Sequence, residues 1–298
     1  MLSRGLLIVV ALLWGRVALF ADIRALLGRI DALHDEGRFA DARQLSLDSV
    51  AATPTGAERA ELYVRAARET LKLGQQAEDR GTPAGEVLRI CEDGEAYADA
   101  AIQADPGNDL GYYWKAANMG RWGQVKGMLY ALFMTGPVRD LLSQEVGINP
   151  RRSDAYSVLG QLYRMLPGWP ISFGNVDAAV SLERESVDLR VSQVRSGEER
   201  TMDYSFTVEL ARSLFQRNWS AETRLKEQES KRARYQGAAT ALERGFDYEG
   251  IVTLPPFSDR EEARRIVEQT ITQMEAMPRR TADDEETLAD AKGLLKSW

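Results

Sequence analysis

One eleven-residue segment constrains the fold of this chain more than any other part of it. In SDAYSVLGQLY (153–163), large residues and one glycine recur at relative spacings of 0, 3, 4 and 7: Tyr156, Leu159, Gly160 and Tyr163. Residues at those spacings share one face of an α-helix, which has about 3.6 residues per turn. Because glycine has no side chain, a second helix can approach that face closely. The segment therefore predicts the first helix of a tightly packed helical hairpin.

The same spacing of aromatic, leucine, glycine and aromatic residues after a proline is typical of the tetratricopeptide repeat (TPR). Its second helix is predicted over GNVDAAVSLERESVDL (174–189), where Ala179 and Ser186 are the small residues that such a helix turns towards its partner. Between the two helices, RMLPGWPISF (164–173) lengthens the connection by about seven residues beyond the usual short turn. The insertion is unusual for a TPR hairpin and is a candidate functional segment.

Weaker copies of the hairpin pattern recur on both sides of this unit. They match at two or three positions each and lie at 37–54, after Pro106, and at 203–218. The last copy predicts a first helix, and the charged segment 220–236 that follows it predicts the second helix and a solvated face. Four to five degenerate units between Ile23 and Gly237 predict an all-α, TPR-like helix-hairpin solenoid.

The C-terminal part of the chain departs from the repeat pattern. Residues 245–258 contain glycine and proline and predict a connection, after which Ser258 and Glu261 form a capping box that opens a helix. The closing segment ETLADAKGLLKSW carries an apolar helical stripe. We therefore predict a repeat domain over 22–244 and C-terminal capping helices over 245–298 that pack on the solenoid.

Residues 1–21 predict a secretory signal peptide, with Arg4 ahead of an eleven-residue apolar run (5–15) and the small residue Ala21 at the end. The run rises about 16 Å as a helix, which is short of the ~30 Å hydrocarbon core of a bilayer. An uncleaved membrane anchor is the alternative. No cysteine follows the run, so no lipobox is expected, and the sequence predicts a soluble periplasmic protein in which Cys91 is an unpaired, buried thiol.

Composition excludes several classes of function. The chain has 38 Lys and Arg against 45 Asp and Glu, a net charge of −7, which argues against nucleic acid as a partner. It has one cysteine and one histidine, so a disulfide framework and a Cys- or His-rich metal site are excluded. We expect no metal and no cofactor.

Two segments carry a resemblance to a known family: GYYWKAANMGRWGQVKGMLYAL (111–132) and YSVLGQLYRMLPGWPISFGNVDAAV (156–180). With the closing LADAKGLL, the chain resembles the TPR-containing T-component of tripartite ATP-independent periplasmic (TRAP) transporters. The prolines and Trp169 before Phe173 are the most specific part. The resemblance implies an extracytoplasmic scaffold that binds the solute-binding subunit of the transporter, and that offers an apolar cavity to a small ligand. Family members are often lipoproteins, so the missing lipobox cysteine is a departure.

The binding surface is expected on the first helices, which line the concave face of a TPR solenoid. Aromatic and arginine side chains are the favoured anchors of interfaces. The candidate partner- or ligand-binding residues are Tyr113, Trp114, Arg121, Trp122, Gln161, Arg164 and Trp169. For Trp114 and Trp122 the alternative is packing between helices, and for Trp169 it is filling a gap in the solenoid.

Other functions remain open at this point. A general periplasmic adaptor in envelope protein assembly would have the same fold, and only its partner would differ. An enzyme acting through paired carboxylates such as Glu183 and Glu185 is a weaker alternative, because these two lie on different sides of a helix and are expected to be exposed. The sequence has no GxSxG and no phosphate-binding loop, so we expect no enzymatic activity. The sequence also leaves open whether the chain forms a homo-oligomer.

Overall fold

The computed structural model describes residues 23–298, and within that range it contains helices, turns and irregular segments but no strand. The predicted all-α class is confirmed. The predicted signal peptide (1–21) lies outside the described residues. The described helices are α1 (23–35), α2 (Phe39–Val50), α3 (Gly56–Asp79), α4 (Ala84–Ala104), α5 (Asp109–Lys126), α6 (Met128–Ile148), α7 (Ser153–Met165), α8 (Val176–Ser196), α9 (Tyr204–Arg217), α10 (Ala221–Gly237), α11 (Ala241–Phe246), α12 (Asp259–Glu275) and α13 (Ala282–Ser297), with a 3₁₀ turn at Tyr248–Gly250.

The chain forms two compact units, one ending at Leu141 and the other beginning at Leu142. The boundary lies inside the sequence of α6. The predicted separation of a repeat domain (22–244) from capping helices (245–298) is not tested by this division and stays a prediction.

In the first unit, consecutive helices from α2 to α5 pack against one another, and α3 also contacts α5, as in stacked hairpins. Small residues allow the close approach: Gly94 in α4 lies so near Asn118 in α5 that an added Cβ would be 2.1 Å from the Asn118 Oδ1. Cys91 is 1% exposed and unpaired, so the prediction of a buried thiol is confirmed. Burial raises the pKa of this thiol to about 11.

In the second unit, α7 and α8 form the predicted hairpin. Tyr156 and Leu159 are fully buried, and Gly160 faces α8. A Cβ added to Gly160 would lie 2.4 Å from the Glu183 Cγ, which is closer than two carbon atoms that are not bonded to each other can approach. The glycine of the TPR pattern is therefore needed here because the side chain of Glu183 fills the space between the two helices.

The partner of α9 differs from the prediction. Within the second unit, α12 packs extensively against α9, while α10 packs against the 3₁₀ turn and α11. The reason is the absence of an apolar stripe on α10, whose buried residues are Arg224 and Lys231. In α12, by contrast, Ala263 and Val267 complete an apolar cluster with residues of α8, α9 and α13.

Two capping boxes fix the starts of the C-terminal helices. At α12, the Glu261 amide donates to the Ser258 hydroxyl at 3.3 Å, and the Ser258 amide donates to the Glu261 carboxylate at 2.9 Å, as predicted. Thr281 and Asp284 form the same arrangement at α13. Helix α13 then packs on α12 and α9.

Candidate functional site

The segment between α7 and α8, here the Trp169 loop (166–175), is closed at its base by backbone hydrogen bonds. Helix α7 ends before Pro167, because a residue that precedes proline disfavours the helical conformation. The Asn175 amide donates to the Tyr163 carbonyl at 2.7 Å, and the Gly174 amide donates to the Pro167 carbonyl at 2.9 Å. A Cβ on Gly174 would be 1.9 Å from the carbonyl oxygen of Leu166, so only glycine permits this closure.

The tip of the loop presents apolar side chains to solvent. The amides of Ile171 and Ser172 both donate to the Gly168 carbonyl, at 3.1 and 3.3 Å, so the tip is held by its own backbone. Trp169 is 90% exposed, Ile171 78%, and Met165 beside the loop 71%. The alternative that Trp169 fills a gap in the solenoid is wrong. The loop instead presents an exposed indole from a hydrogen-bonded backbone.

A cleft of about 730 Å³ lies against this loop. Its apolar wall is built on Tyr163, whose ring meets Phe173 and Phe246 edge to face at centroid distances of 5.1 and 5.0 Å. The polar side of the cleft carries the ion pair of Arg234 and Asp247, at 2.7 Å. A cleft of this size and character is typical of sites for a small ligand or for a side chain of a protein partner.

The two candidate residues on α7 have partners within the second unit. Arg164 pairs with Glu209 of α9, and its Nε is 3.9 Å from the Glu183 Oε1. The Gln161 Nε2 donates to the Ser157 hydroxyl at 3.4 Å. Both residues are half-buried, and Arg164 does not line the cleft. A partner that contacted Arg164 would compete with Glu209.

The four remaining candidates lie on α5 in the first unit. Tyr113 and Trp114 meet edge to face at 5.0 Å, and Trp114 packs on the cluster formed by α3 and α4, which favours the packing alternative for this residue. Arg121 pairs with Glu78. The Trp122 Nε1 donates to Glu92 at 3.0 Å, while the ring stays half-exposed.

The expectation that Glu183 and Glu185 are exposed is wrong: they are 1% and 9% exposed. Helix α8 is covered by α7, α9 and α11, so most of its circumference is buried. Burial raises the pKa of Glu183 well above its usual range and that of Glu185 to about 8. The two carboxylates face different surroundings, Gly160 for Glu183 and Gly245 for Glu185, and neither lines the cleft.

Most of the predicted solvated face of α10 is exposed, but Arg224 and Lys231 depart from it and enter a buried ionic cluster. The Lys231 Nζ lies 3.2 Å from the Glu249 carboxylate and 2.6 Å from that of Asp177. Burial alone would raise the pKa of Glu249, but Arg217, Arg184 and Lys231 outweigh it and hold that pKa far below its usual value. The members are Asp177, Arg184, Arg217, Arg224, Lys231, Glu249, Asp259 and Glu262. The four cations and four anions balance, which indicates a structural role.

Sequence reasoning also missed a group of exposed apolar residues at the start of α6, including Met128, Leu129 and Phe133. The stretch without charge from 127 to 138 marks the apolar character of this segment, but no sequence signal predicts its exposure. Among residues 23–298, no three or more His, Cys, Asp or Glu side chains are placed to hold a metal ion. None of the helices described there has the length and apolar character needed to cross a membrane.

Comparison with known proteins identifies no family. No protein-family model matches the sequence, and no curated protein matches it. Two solved structures of MamA are similar to the chain: one at 15% identity and a TM-score of 0.39, covering 82% of this chain and 96% of that one. The second has 13% identity and a TM-score of 0.35, and the match covers 85% of this chain and 92% of the MamA chain. Likenesses this weak carry no functional argument, and the fold assignment rests on the helices themselves.

Proposed function

We propose that this chain is a non-enzymatic, extracytoplasmic, TPR-like scaffold that binds the solute-binding subunit of a TRAP-type uptake transporter. The resemblance of segments 111–132 and 156–180 to the T-component family supports the identity of the partner. The observation that carries the proposal is the Trp169 loop, which is closed at its base and holds a 90% exposed indole at its tip.

A preformed loop of this kind favours binding for two physical reasons. The loop loses little conformational entropy on association, because backbone hydrogen bonds and two prolines already restrict it. A tryptophan then buries about 150–250 Å² of surface at a cost of only two side-chain torsions. The cleft against the loop provides the complementary feature, a cavity into which an apolar side chain of the partner fits.

The same cleft supports the second element of the proposal, a small apolar ligand. Its volume of about 730 Å³ lies within the range of about 300–1,000 Å³ that is usual for ligand sites. Mass spectrometry of the protein purified under native conditions would detect such a ligand. A Phe246→Ala variant, which removes one wall of the cleft, should lose it.

The partner is tested by calorimetric titration with the solute-binding subunit of a TRAP transporter from the same organism. Trp169→Ala should weaken binding about 30-fold, the effect of losing an interface anchor worth about 2 kcal/mol. The matched control is Leu225→Ala, an apolar residue of the same unit that is 59% exposed and does not line the cleft.

Three results would contradict the proposal. The first is the absence of binding by the unmodified chain. The second is equal affinity of the Trp169→Ala and Leu225→Ala variants. The third is equally strong binding of unrelated exported proteins, which would favour the general envelope adaptor in place of the transporter partner.

A further inference from the structure

The first turns of α6 expose a group of large apolar side chains in the first unit, here the α6 apolar arc. Its members, with their exposed fractions, are Met128 (91%), Leu129 (62%), Tyr130 (44%), Leu132 (42%) and Phe133 (63%). Soluble monomers rarely expose contiguous apolar patches larger than a few hundred Å² unless the patch contacts something. The arc is therefore a candidate contact surface, distinct from the Trp169 loop of the second unit.

The arc is wider than a protein-docking stripe. Successive residues of an α-helix are about 100° apart, so residues 128, 129, 130, 132 and 133 cover about 200° of the circumference. The opposite face holds Ala131 and Met134, which pack on α5. A Cβ added to Gly123 of α5 would lie 3.1 Å from the Ala131 Cα and 3.1 Å from the Met134 Cγ. A stripe of about 100° is enough to pack a helix against a protein. An apolar surface of twice that width fits a continuous apolar medium better.

The distribution of charged residues around the arc also fits a continuous apolar medium. Residues 127–138 carry no ionisable charge, while Lys126 precedes them and Arg139 follows them. Arg139 pairs with Asp140 at 2.7 Å. The Lys126 ammonium lies over two aromatic rings, at 5.5 Å from the centroid of Trp122 and 5.6 Å from that of Tyr130.

Trp122 and Tyr130 meet edge to face at 6.0 Å, so two amphipathic rings and a cation border the arc. The Trp122 Nε1 donates to the carboxylate of Glu92, which also lies at this border. Aromatic rings and lysine side chains are enriched where a protein meets the headgroup layer of a membrane.

We propose that the α6 apolar arc inserts into the headgroup–acyl boundary of a phospholipid membrane, with Lys126 among the lipid phosphates. The helical part of the charge-free stretch, 128–138, rises about 17 Å, compared with ~30 Å for the hydrocarbon core. It therefore enters the surface layer and does not span the bilayer. This inference does not depend on the TRAP partner.

Vesicle flotation tests the proposal, with vesicles of phosphatidylcholine alone and of phosphatidylcholine mixed with phosphatidylglycerol. The pair Leu129→Asp and Phe133→Asp should lower the partition of the chain into vesicles about a hundredfold, roughly tenfold for each apolar side chain lost from the boundary. The control pair is Leu225→Asp and Ile251→Asp, which are exposed apolar residues outside the arc and should leave flotation unchanged.

Two further variants separate charge from apolar contact. Lys126→Gln should lower binding about fivefold, and only to vesicles that contain phosphatidylglycerol, because one lysine near an anionic surface contributes about 1 kcal/mol. Leu129→Cys, labelled with an environment-sensitive dye, should show a blue shift when vesicles are added. Labelling at this position is selective because the native thiol, Cys91, is buried.

The proposal is overturned if the unmodified chain floats with neither vesicle, or if the Leu129→Asp and Phe133→Asp pair floats as the control pair does. It is also overturned if light scattering finds a dimer that this pair dissociates while vesicles bind neither protein, since the arc would then contact a second copy. If the aspartate pair is unfolded by circular dichroism, the dye shift at position 129 decides: a shift supports insertion, and no shift rejects it.

Discussion

Replacing Gly160 by alanine would place a methyl group against a side chain that has no room to move. The added Cβ would lie 2.4 Å from the Cγ of Glu183 and 3.1 Å from its Cδ. The first of these distances is about 1 Å shorter than an ordinary carbon–carbon contact of ~3.5 Å. Glu183 is 1% exposed and enclosed between α7 and α9, so its side chain cannot swing into solvent. The substitution should therefore force α7 and α8 apart.

The magnitude follows from two opposing contributions. Alanine is favoured over glycine inside a helix by about 1 kcal/mol, while forcing an extra carbon into a packed core costs about 1–3 kcal/mol. Because the contact distance is about 1 Å too short, we take the upper end of that cost, about 3 kcal/mol. Subtracting the gain in helix propensity leaves an expected net loss of about 2 kcal/mol in the free energy of unfolding. Gly293 in α13 has no heavy atom within 4 Å of an added Cβ. Gly293→Ala should thus raise that free energy by about 1 kcal/mol.

Urea unfolding followed by circular dichroism measures both effects. The decisive comparison adds Glu183→Ala, which removes the atoms that the new methyl group would meet. In that background, Gly160→Ala should stabilise the protein by about 1 kcal/mol, because only the helix propensity remains. The reasoning is refuted if Gly160→Ala destabilises the protein equally with and without Glu183, or if it stabilises the unmodified protein as Gly293→Ala does.

Three further predictions concern buried polar groups. Because burial raises the pKa of Glu185 to about 8, the folded state holds its proton to higher pH than the unfolded state. The free energy of unfolding should therefore fall as the pH rises from about 4.5 to 8, by up to about 1.4 kcal/mol per pH unit. Glu185→Gln should reduce this slope, and the exposed control Glu229→Gln should leave it unchanged. Cys91 should react with iodoacetamide about a hundredfold more slowly in the folded protein than in urea, because burial keeps it as the thiol; equal rates would contradict its burial. Lys231→Met should cost about 3 kcal/mol in urea unfolding, because the four carboxylates of the cluster would then face only three cations, whereas exposed Lys226→Met should have little effect.

The hairpin of α7 and α8 could be predicted because its information is local. Tyr156, Leu159 and Gly160 share one helix face, and that face decides what can pack on it. The partner of α9 could not be predicted in the same way. The repeat pattern assigned it to α10, but the residues that α10 buries are Arg224 and Lys231. A hydrophobic pattern does not reveal burial that is stabilised by ion pairs from distant parts of the chain.

The candidate site was predicted in part. The two prolines indicated a restricted loop around Trp169. The sequence did not show whether Trp169 packs against the protein or faces solvent, because this depends on backbone hydrogen bonds made by Gly168 and Gly174. The burial of Glu183 also escaped prediction, because an acidic residue in a helix is usually exposed. At the start of α6, the lack of charge over 127–138 predicts an apolar surface but not its exposure, because an uncharged apolar stretch is usually buried.

The central claim, docking through the Trp169 loop, is tested most directly by site-specific photocrosslinking. A benzoylphenylalanine introduced in place of Trp169 is irradiated in the presence of the TRAP solute-binding subunit, and the same residue in place of Leu225 is the control. We expect a covalent adduct with the subunit from position 169 and none from position 225. Adducts from both positions, from position 225 alone, or from neither would contradict the claim.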